Sequence, residues 1–255
     1  MKSLLSVNDL RMVFGGLVAV DAVTFHLYQD EISSIIGPNG AGKTTVFNCI
    51  SGFYKPSGGT VTLDSEDITG KPSHVIAQKG LTRTFQNIRL FKDMTVLENL
   101  LIARHHNLNK GYFAGIFGSG NYRRSENKAK QLAAQWLEFF SLRQYANHEA
   151  GNLAYGQQRR LEIARCMMTE PKVLILDEPA AGLNPNETVE LVNLIRRLRD
   201  EFRISVLLIE HDMSLVMPLS EQIMVMEYGR PIAIGSPEDI RNNPDVIRAY
   251  LGEEA

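Results

Sequence analysis

The sequence predicts an α/β fold organised around a phosphate-binding loop, and three observations support this. Residues 37–44 read GPNGAGKT, which matches the pattern of a glycine, four free positions and then Gly-Lys-Thr. The apolar run at 32–36 predicts a buried strand before this loop, and residues 44–50 predict a helix after it. A second apolar run at 173–176 predicts another buried strand, which ends in the carboxylates of Asp177 and Glu178.

The loop residues have the chemistry that a nucleoside triphosphate requires. Glycines lack a Cβ, so backbone N–H groups can converge on the phosphates. Lys43 adds a positive charge, and Thr44 or its neighbour supplies a hydroxyl to Mg²⁺. The helix that follows directs its positive N-terminal end at the anion. The predicted nucleotide-binding residues here are Gly37, Pro38, Asn39, Gly40, Ala41, Gly42, Lys43, Thr44 and Thr45.

Composition sets the protein class. The chain has 255 residues, of which 44% are hydrophobic and 22% charged, so we expect one large globular domain or a core with an inserted subdomain. A net charge of -2 gives no basic field that would favour nucleic acid as a partner. We find no apolar run of membrane-spanning length and no cleavable signal pattern at residues 1–10, so if the protein works at a membrane, something else must anchor it.

The N-terminal region predicts an antiparallel sheet. Short strands are expected at 5–7, 18–20 and 23–27, with a turn at Phe14-Gly15-Gly16. Phe14 could stack on a base or pack in the core, and the residues alone favour the core. Further strands are expected at 60–64 and 81–85. The second of these strands ends at Gln86. This glutamine is a candidate functional residue only if that strand end faces the phosphates.

Residues 88 to about 168 are predicted to be helical. Thr95 and Glu98 have the spacing of a capping box. Apolar residues repeat every three or four positions from Ala129 to Phe140, which places Trp136 in a core. The segment 107–120 alternates glycines with aromatic and aliphatic residues, and it is either a flexible surface insertion or a docking segment for a partner.

Three further segments carry candidate functional residues. At Leu153, Ala154, Tyr155, Gly156 and Gln157 a loop turns into an amphipathic helix, and Gly156 leaves backbone N–H groups free to meet an anion. Strand ends in open α/β sheets are where ligands bind, so Asp177 is expected near Mg²⁺ and Glu178 where it could polarise a water. His211 follows a predicted strand at 204–209 and has the same kind of position.

The ordered combination of these motifs resembles the nucleotide-binding domain of ATP-binding-cassette proteins over nearly the whole chain. The resemblance implies a RecA-like phosphate-loop core at about 1–87 and 169–255, with an N-terminal antiparallel β subdomain and an inserted helical subdomain at about 88–168. It also implies ATP and Mg²⁺ as cofactors. Residue roles carry over as follows: Phe14 stacks on adenine, Gln86 is the Q-loop glutamine and a metal ligand, residues 153–157 are the signature motif, Asp177 binds Mg²⁺, Glu178 is the catalytic base, Ala181–Asn184 is the D-loop and His211 is the switch histidine.

Within that family, the motif LAYGQQR at 153–159 and the tail at 242–252 resemble the ATP-binding subunits of branched-chain amino acid importers, and the insertion at 107–120 fits the larger of the two ATPase subunits that such systems carry. This implies a second ATPase subunit, two transmembrane permease subunits and a periplasmic amino-acid-binding protein as partners. The implied location is the cytoplasmic face of the cell membrane, as a peripheral subunit.

The signature departs from the family's usual Leu-Ser-Gly-Gly-Gln, because Ala154 has no hydroxyl and Tyr155 replaces a glycine. Asn184 stands in the D-loop where aspartate is common. Two alternatives stay open: the ATPase subunit of another cassette transporter, such as a lipopolysaccharide exporter, and a cassette ATPase of translation or DNA repair without a transport role. The latter usually carry two cassettes or long coiled coils, whereas this chain has one phosphate loop.

Overall fold

The computed structural model describes residues 3–104 and 120–251, which form two compact units. One unit consists of Met1–Gln86 with Pro171–Ala255, and the other of Asn87–Glu170. The ten strands found among the described residues all lie in the first unit. The predicted insertion at 107–120 falls outside the described residues except for Gly120, which begins a helix.

A six-stranded sheet forms the centre of the first unit. Its strands are β3 (Ile32–Ile36), β6 (Leu81–Arg83), β7 (Val173–Asp177), β8 (Ser205–Ile209), β9 (Gln222–Glu227) and β10 (Arg230–Gly235). They are arranged in the order β10-β9-β3-β8-β7-β6, and only β10 is antiparallel to its neighbour. Every residue of β3, β7 and β8 is buried. Their near-continuous apolar runs reflect this, since a parallel sheet is covered on both faces.

The second sheet pairs β1 (Ser3–Phe14), β2 (Leu17–Tyr28), β4 (Gly58–Leu63) and β5 (Glu66–Asp67) in the antiparallel order β2-β1-β4-β5. The predicted antiparallel start is confirmed, but the prediction of three short strands before residue 30 is wrong, because two twelve-residue strands form instead. Asp9 and Ala22 have φ of 47° and 53° and lie near shifts in the β1–β2 register. Such irregularities interrupt the alternation from which strand lengths are predicted.

The helices of the first unit cover these sheets. They are α1 (Lys43–Ile50), α2 (Ser73–Gln78), α6 (Pro185–Phe202), α7 (Met213–Leu219), α8 (Pro237–Asn242) and α9 (Pro244–Leu251). Helix α1 contributes Val46, Phe47 and Ile50 to a core cluster that includes residues of both sheets. A second cluster lies around Ile36, Val216 and Ile240. The phosphate loop therefore emerges from a fixed strand and enters a fixed helix.

The second unit contains α3 (Val96–Ala103), α4 (Gly120–Phe139) and α5 (Tyr155–Met167). The predicted capping box at the start of α3 is confirmed, since Glu98 N donates to Thr95 Oγ1 at 3.2 Å and Thr95 N donates to Glu98 Oε2 at 2.8 Å. Trp136 is 4% exposed, which confirms its predicted place in the core. In the two stretches of chain that the structure covers, no helix combines the length and the apolar character needed to cross a membrane.

Candidate nucleotide-binding site

At two positions of the loop between β3 and α1, the backbone conformation and the close packing permit only glycine. Gly37 has φ of 144°, and a Cβ there would lie 2.1 Å from the carbonyl oxygen of Met226. Gly42 has φ of 95°, and its Cβ would lie 2.6 Å from the carbonyl oxygen of Ala19. Both neighbours are backbone atoms that cannot move aside. The loop is therefore packed tightly against β9 and β2 on its inner side.

Lys43 lies within the curve of this loop. Its side chain is largely buried, and Nζ donates hydrogen bonds to the carbonyl oxygens of Gly37 at 2.5 Å and Pro38 at 2.9 Å. Gly42 is the N-cap of α1 and offers no side-chain cap, so the first N–H groups of the helix are open to an anion. Thr44 is exposed and Thr45 half-buried in the same first turn.

A cavity of about 410 Å³ borders the loop. The loop contributes one wall, and the β9–β10 turn with helix α9 contributes the rest. Its lining residues are Pro38, Asn39, Gly40, Ala41, Glu227, Tyr228, Arg248 and Ala249. The exposed residues Asn39 and Gly40 are thus accessible to a ligand.

The strand order brings the other predicted residues of the first unit to one sheet edge. Strands β3, β8, β7 and β6 are parallel neighbours, so their carboxyl ends face the same way. The phosphate loop follows β3, Asp177 ends β7, Gln86 lies three residues beyond β6 and His211 lies two beyond β8.

Asp177 is held by a buried arginine. Arg83 Nη2 lies 2.5 Å from Asp177 Oδ2, and the two side chains are 5% and 6% exposed. The backbone N–H of Asp177 donates to Thr84 Oγ1 at 3.3 Å. The sequence analysis did not identify Arg83. Its only local signal is a charge inside an otherwise strand-like segment.

Glu178 and Gln86 are in direct contact. Gln86 Nε2 donates to Glu178 Oε2 at 2.8 Å, although Gln86 is exposed and Glu178 half-buried. Glu178 has φ of 45°, a left-handed conformation that costs a non-glycine residue energy and is concentrated at functional sites. Its backbone N–H donates to the carbonyl oxygen of Ile209 at 2.9 Å, which ties it to the end of β8.

A second buried carboxylate, Glu210, anchors the segment beside it. Its Oε1 accepts from the backbone N–H of Ala180 at 2.8 Å, and its Oε2 from that of His211 at 3.1 Å. Burial raises the pKa of Glu210, although these backbone hydrogen bonds oppose the shift. The His211 imidazole is 64% exposed, with Nδ1 3.9 Å from Glu210 Oε2. The sequence analysis did not identify Glu210.

Phe14 ends β1, next to the hairpin turn. Its ring is 41% exposed and meets Tyr54 edge to face, with centroids 5.3 Å apart and planes at 80°. The exposure disagrees with the core packing that the residues alone favoured. Phe14 is therefore accessible to a ligand.

The segment 153–157 lies in the second unit, at the start of α5. Leu153 is buried, while Ala154 is the N-cap and provides no side-chain hydrogen bond. Gln157 Oε1 accepts from the N–H of Ala154 at 3.1 Å, but alanine has no oxygen with which to complete a capping box. The N–H groups at this helix start therefore have no side-chain cap.

Tyr155, the other departure in this segment, has a partner. Arg159 Nη2 donates to the Tyr155 hydroxyl oxygen at 3.2 Å, and the guanidinium carbon lies 5.9 Å from the ring centroid. Arg159 also pairs with Glu162 at 3.0 Å, with side chains 1% and 5% exposed. Tyr155 is thus fixed by a buried ion pair on the same helix.

Asn184 is the N-cap of α6. Its Oδ1 accepts from the N–H of Glu187 at 3.0 Å, and Glu187 Oε2 accepts from the N–H of Asn184 at 2.9 Å. Asparagine and aspartate are about equally good at this position. Asn184 therefore performs the capping that an aspartate would perform.

The residues at the sheet edge fit a Mg²⁺ ion. The Asp177 carboxylate and the Thr44 hydroxyl are hard oxygen donors, and Mg²⁺ is commonly held by one or two such groups together with nucleotide phosphates. Within residues 3–104 and 120–251, no group of three or more His, Cys, Asp or Glu side chains is arranged to hold a metal by itself.

Comparison with known proteins decides the family. The family model described as "ABC transporter" matches residues 20–181, which is more than half of the chain. The chain belongs to the ABC transporter family. A second model, described as "Branched-chain amino acid ATP-binding cassette transporter", matches residues 230–255 of this cassette. The resemblance predicted from the motifs is confirmed.

Relatives match this cassette along its length. It is 59% identical over 252 residues to the high-affinity branched-chain amino acid transport ATP-binding protein BraF of Pseudomonas aeruginosa, covering 99% of both chains. It is also 59% identical over 250 residues to LivG of Escherichia coli K12, of the same description, covering 98% of both.

A crystal structure of the ADP conformation of an ATP-binding cassette of an ABC transporter is similar in fold to this cassette. The TM-score is 0.86 at 32% identity, with 99% of this chain and 100% of that chain covered. The predicted fold class, a RecA-like α/β core of a cassette ATPase, is confirmed.

Proposed function

We propose that this chain is the ATP-binding and ATP-hydrolysing subunit of an importer for branched-chain amino acids. One observation carries the proposal of hydrolysis: the phosphate loop, the Asp177-Glu178 pair and Gln86 all follow parallel strands at one sheet edge. The substrate class is supported by the relatives BraF and LivG, which are described as branched-chain amino acid transport proteins.

Nucleotide binding is assigned to residues 37–45 and Phe14. Lys43 would exchange its hydrogen bonds to the loop carbonyls for the outer phosphates of ATP, and the open N–H groups of α1 would bind the same anion. The half-exposed ring of Phe14 would stack on adenine.

Asp177, Thr44 and Gln86 are the residues proposed to hold Mg²⁺. The ion, when bound, neutralises charge on the phosphates. Asp177 enters this role already oriented, because Arg83 fixes one of its oxygens. Thr44 lies beside Lys43 in the first turn of α1, so both follow the position of that helix.

Glu178 is proposed as the general base. Its backbone is held by Ile209 and its carboxylate accepts a hydrogen bond from Gln86, so the carboxylate is placed without being fully buried. A base in this position takes a proton from the attacking water. Gln86 and the exposed His211 would contact the γ-phosphate, so that their positions depend on whether it is present.

The unit Asn87–Glu170 is proposed as the helical subdomain and the remainder as the catalytic core. Two cassettes would close face to face, so that each phosphate loop holds ATP against residues 153–157 of the partner subunit. Because Ala154 has no hydroxyl, the uncapped N–H groups near Gly156 would make that contact. The proposed assembly adds two permease subunits and a periplasmic amino-acid-binding protein, with this chain peripheral on the cytoplasmic face.

Uptake into membrane vesicles tests this proposal. Vesicles carrying this chain with the two permease subunits, its partner ATPase and the binding protein should accumulate labelled leucine, isoleucine or valine only when ATP is supplied. Lys43→Ala should abolish the uptake, and Lys172→Ala, at an exposed lysine paired with Asp64, should not. ATP hydrolysis without uptake of any branched-chain amino acid would contradict the assigned substrate class.

A further inference from the structure

The proposed metal ligand Asp177 already has a counter-ion inside the protein. Arg83 Nη2 lies 2.5 Å from Asp177 Oδ2, and neither side chain is more than 6% exposed. In such surroundings water screens the two charges weakly. The Asp177 carboxylate therefore lies next to a permanent cation, because arginine does not lose its proton in proteins.

Arg83 is held in this place by groups on the helix that follows the phosphate loop. Its Nη1 donates to Asn48 Oδ1 at 2.7 Å and to Ser51 Oγ at 3.1 Å. The guanidinium carbon lies 5.7 Å from the ring centroids of Phe47 and Phe85 and 5.9 Å from that of Phe53. A planar guanidinium fixed on several sides cannot easily turn away from its carboxylate.

This arrangement changes what a cation encounters at Asp177. A bare divalent ion would have to share one carboxylate with Arg83, and two cations at such short range repel each other. Nucleotide phosphates bring several negative charges and offset that repulsion. Among the described residues, Arg83 donates to Oδ2 of Asp177, and none donates a hydrogen bond to Oδ1.

We propose that Arg83 is a positioning residue whose charge makes divalent-cation binding at Asp177 conditional on a bound nucleotide. It holds Oδ2, leaves Oδ1 for the metal, and keeps a lone cation away. The inference rests on the proposed role of Asp177 as a metal ligand. It adds that the metal site is switched by the nucleotide through a residue of this chain outside the recognised motifs.

The test uses the full-length chain without nucleotide and MgCl₂ as the probe. In the unmodified protein, MgCl₂ should raise the midpoint of thermal unfolding no more than NaCl at the same ionic strength does. In Arg83→Met, the unpaired Asp177 should take up the cation, and about 10 mM MgCl₂ should raise the midpoint by roughly 2 °C or more. Mn²⁺ binding, followed by the loss of the free-ion electron paramagnetic resonance signal, should be at least about tenfold tighter than in the unmodified chain.

Three variants separate charge from packing. Arg83→Lys keeps the positive charge and should stay insensitive to MgCl₂. Arg83→Met combined with Asp177→Asn should lose the response, because the carboxylate is gone. Arg159→Met breaks another deeply buried pair, with Glu162, in the second unit, and should be destabilised without a response to MgCl₂. If Arg83→Met is not obtained folded, Arg83→Gln gives the same comparison, since it also lacks the charge.

The inference is overturned if Arg83→Met or Arg83→Gln responds to MgCl₂ no more than the unmodified chain does. It is equally overturned if the response survives Asp177→Asn or is matched in Arg159→Met. Asp177→Asn alone tests the proposed function separately, because it should remove the effect of Mg²⁺ on ATP affinity. If that effect persists, the metal-ligand role of Asp177 fails. If it disappears while Arg83→Met stays insensitive, only the role of Arg83 fails.

Discussion

The two units of the chain present their candidate residues in different ways. At the sheet edge of the first unit the groups are side chains held by other protein groups: Lys43 by loop carbonyls, Asp177 by Arg83 and Glu178 by Gln86. At the start of α5 in the second unit, Ala154 offers no side-chain oxygen. What that segment presents is the backbone of an uncapped helix start.

This difference accounts for two of the three positions at which the sequence departs from the family's usual motifs, and Asn184 in the first unit is the third. A site made of side-chain chemistry cannot change its residue types without losing the chemistry. A site made of helix N–H groups tolerates changes that leave the backbone accessible. Ala154 and Tyr155, the two replacements in the signature motif, occur at the second kind of site. Tyr155 is accommodated there by Arg159 on the same helix.

Removing a side chain from the first site should have the largest effect. Lys43→Ala deletes the charge that the loop surrounds, and we expect ATP affinity to fall by at least about 100-fold, or ~2.8 kcal/mol. Equilibrium binding of a fluorescent ATP analogue measures it. Lys172→Ala, at an exposed lysine of the same unit, is the matched control and should bind normally. Retained tight binding in Lys43→Ala would remove this lysine from the phosphate site.

At the second site, blocking the backbone should matter more than restoring a hydroxyl. Gly156→Asp places a carboxylate in the first turn of α5, where like charges at short range repel the partner's γ-phosphate, so ATPase activity should be lost. Ala154→Ser should change the rate less than about tenfold, or ~1.4 kcal/mol. The measurement is ATPase activity of each variant reconstituted with the membrane subunits and the partner ATPase. A silent Gly156→Asp together with a change of orders of magnitude in Ala154→Ser would show that the side chain at 154 governs the contact.

The smallest effect is expected at Asn184, whose role in the structure is to cap α6. Asn184→Asp should leave the free energy of unfolding nearly unchanged, and Asn184→Ala should lower it by about 1 kcal/mol. Urea unfolding of the isolated chain measures both. A destabilised Asn184→Asp would mean that the amide N–H₂ group, and not the capping oxygen, is the part that matters.

Local patterns predicted much of this molecule. The phosphate loop, the capping box at Thr95 and Glu98, and the buried face around Trp136 each depend on residues a few positions apart, and the structure places them as expected. Asp177 and Glu178 were also placed correctly at the end of β7, because a buried parallel strand is visible as an apolar run, whereas Gln86 lies three residues beyond the shorter β6.

Features that depend on distant residues were missed. The ion pair of Arg83 and Asp177 joins positions 94 residues apart, and Ala180 donates to Glu210 across 30 residues. The register shifts in β1 and β2 are set by pairing across the hairpin, so the strands could not be measured from alternation alone. Strand order, which brings these ends together, is likewise a property of the whole first unit.

The central claim is that side chains at the sheet edge perform the hydrolysis. The most direct test of this claim is the turnover number of Glu178→Gln. The replacement keeps an oxygen that can accept from Gln86 Nε2 and leaves Lys43 and Asp177 untouched. Turnover should fall by roughly 10²–10⁴-fold while ATP affinity stays within about threefold, because only the base is lost. Turnover close to that of the unmodified protein would contradict the account and remove Glu178 from the role of base.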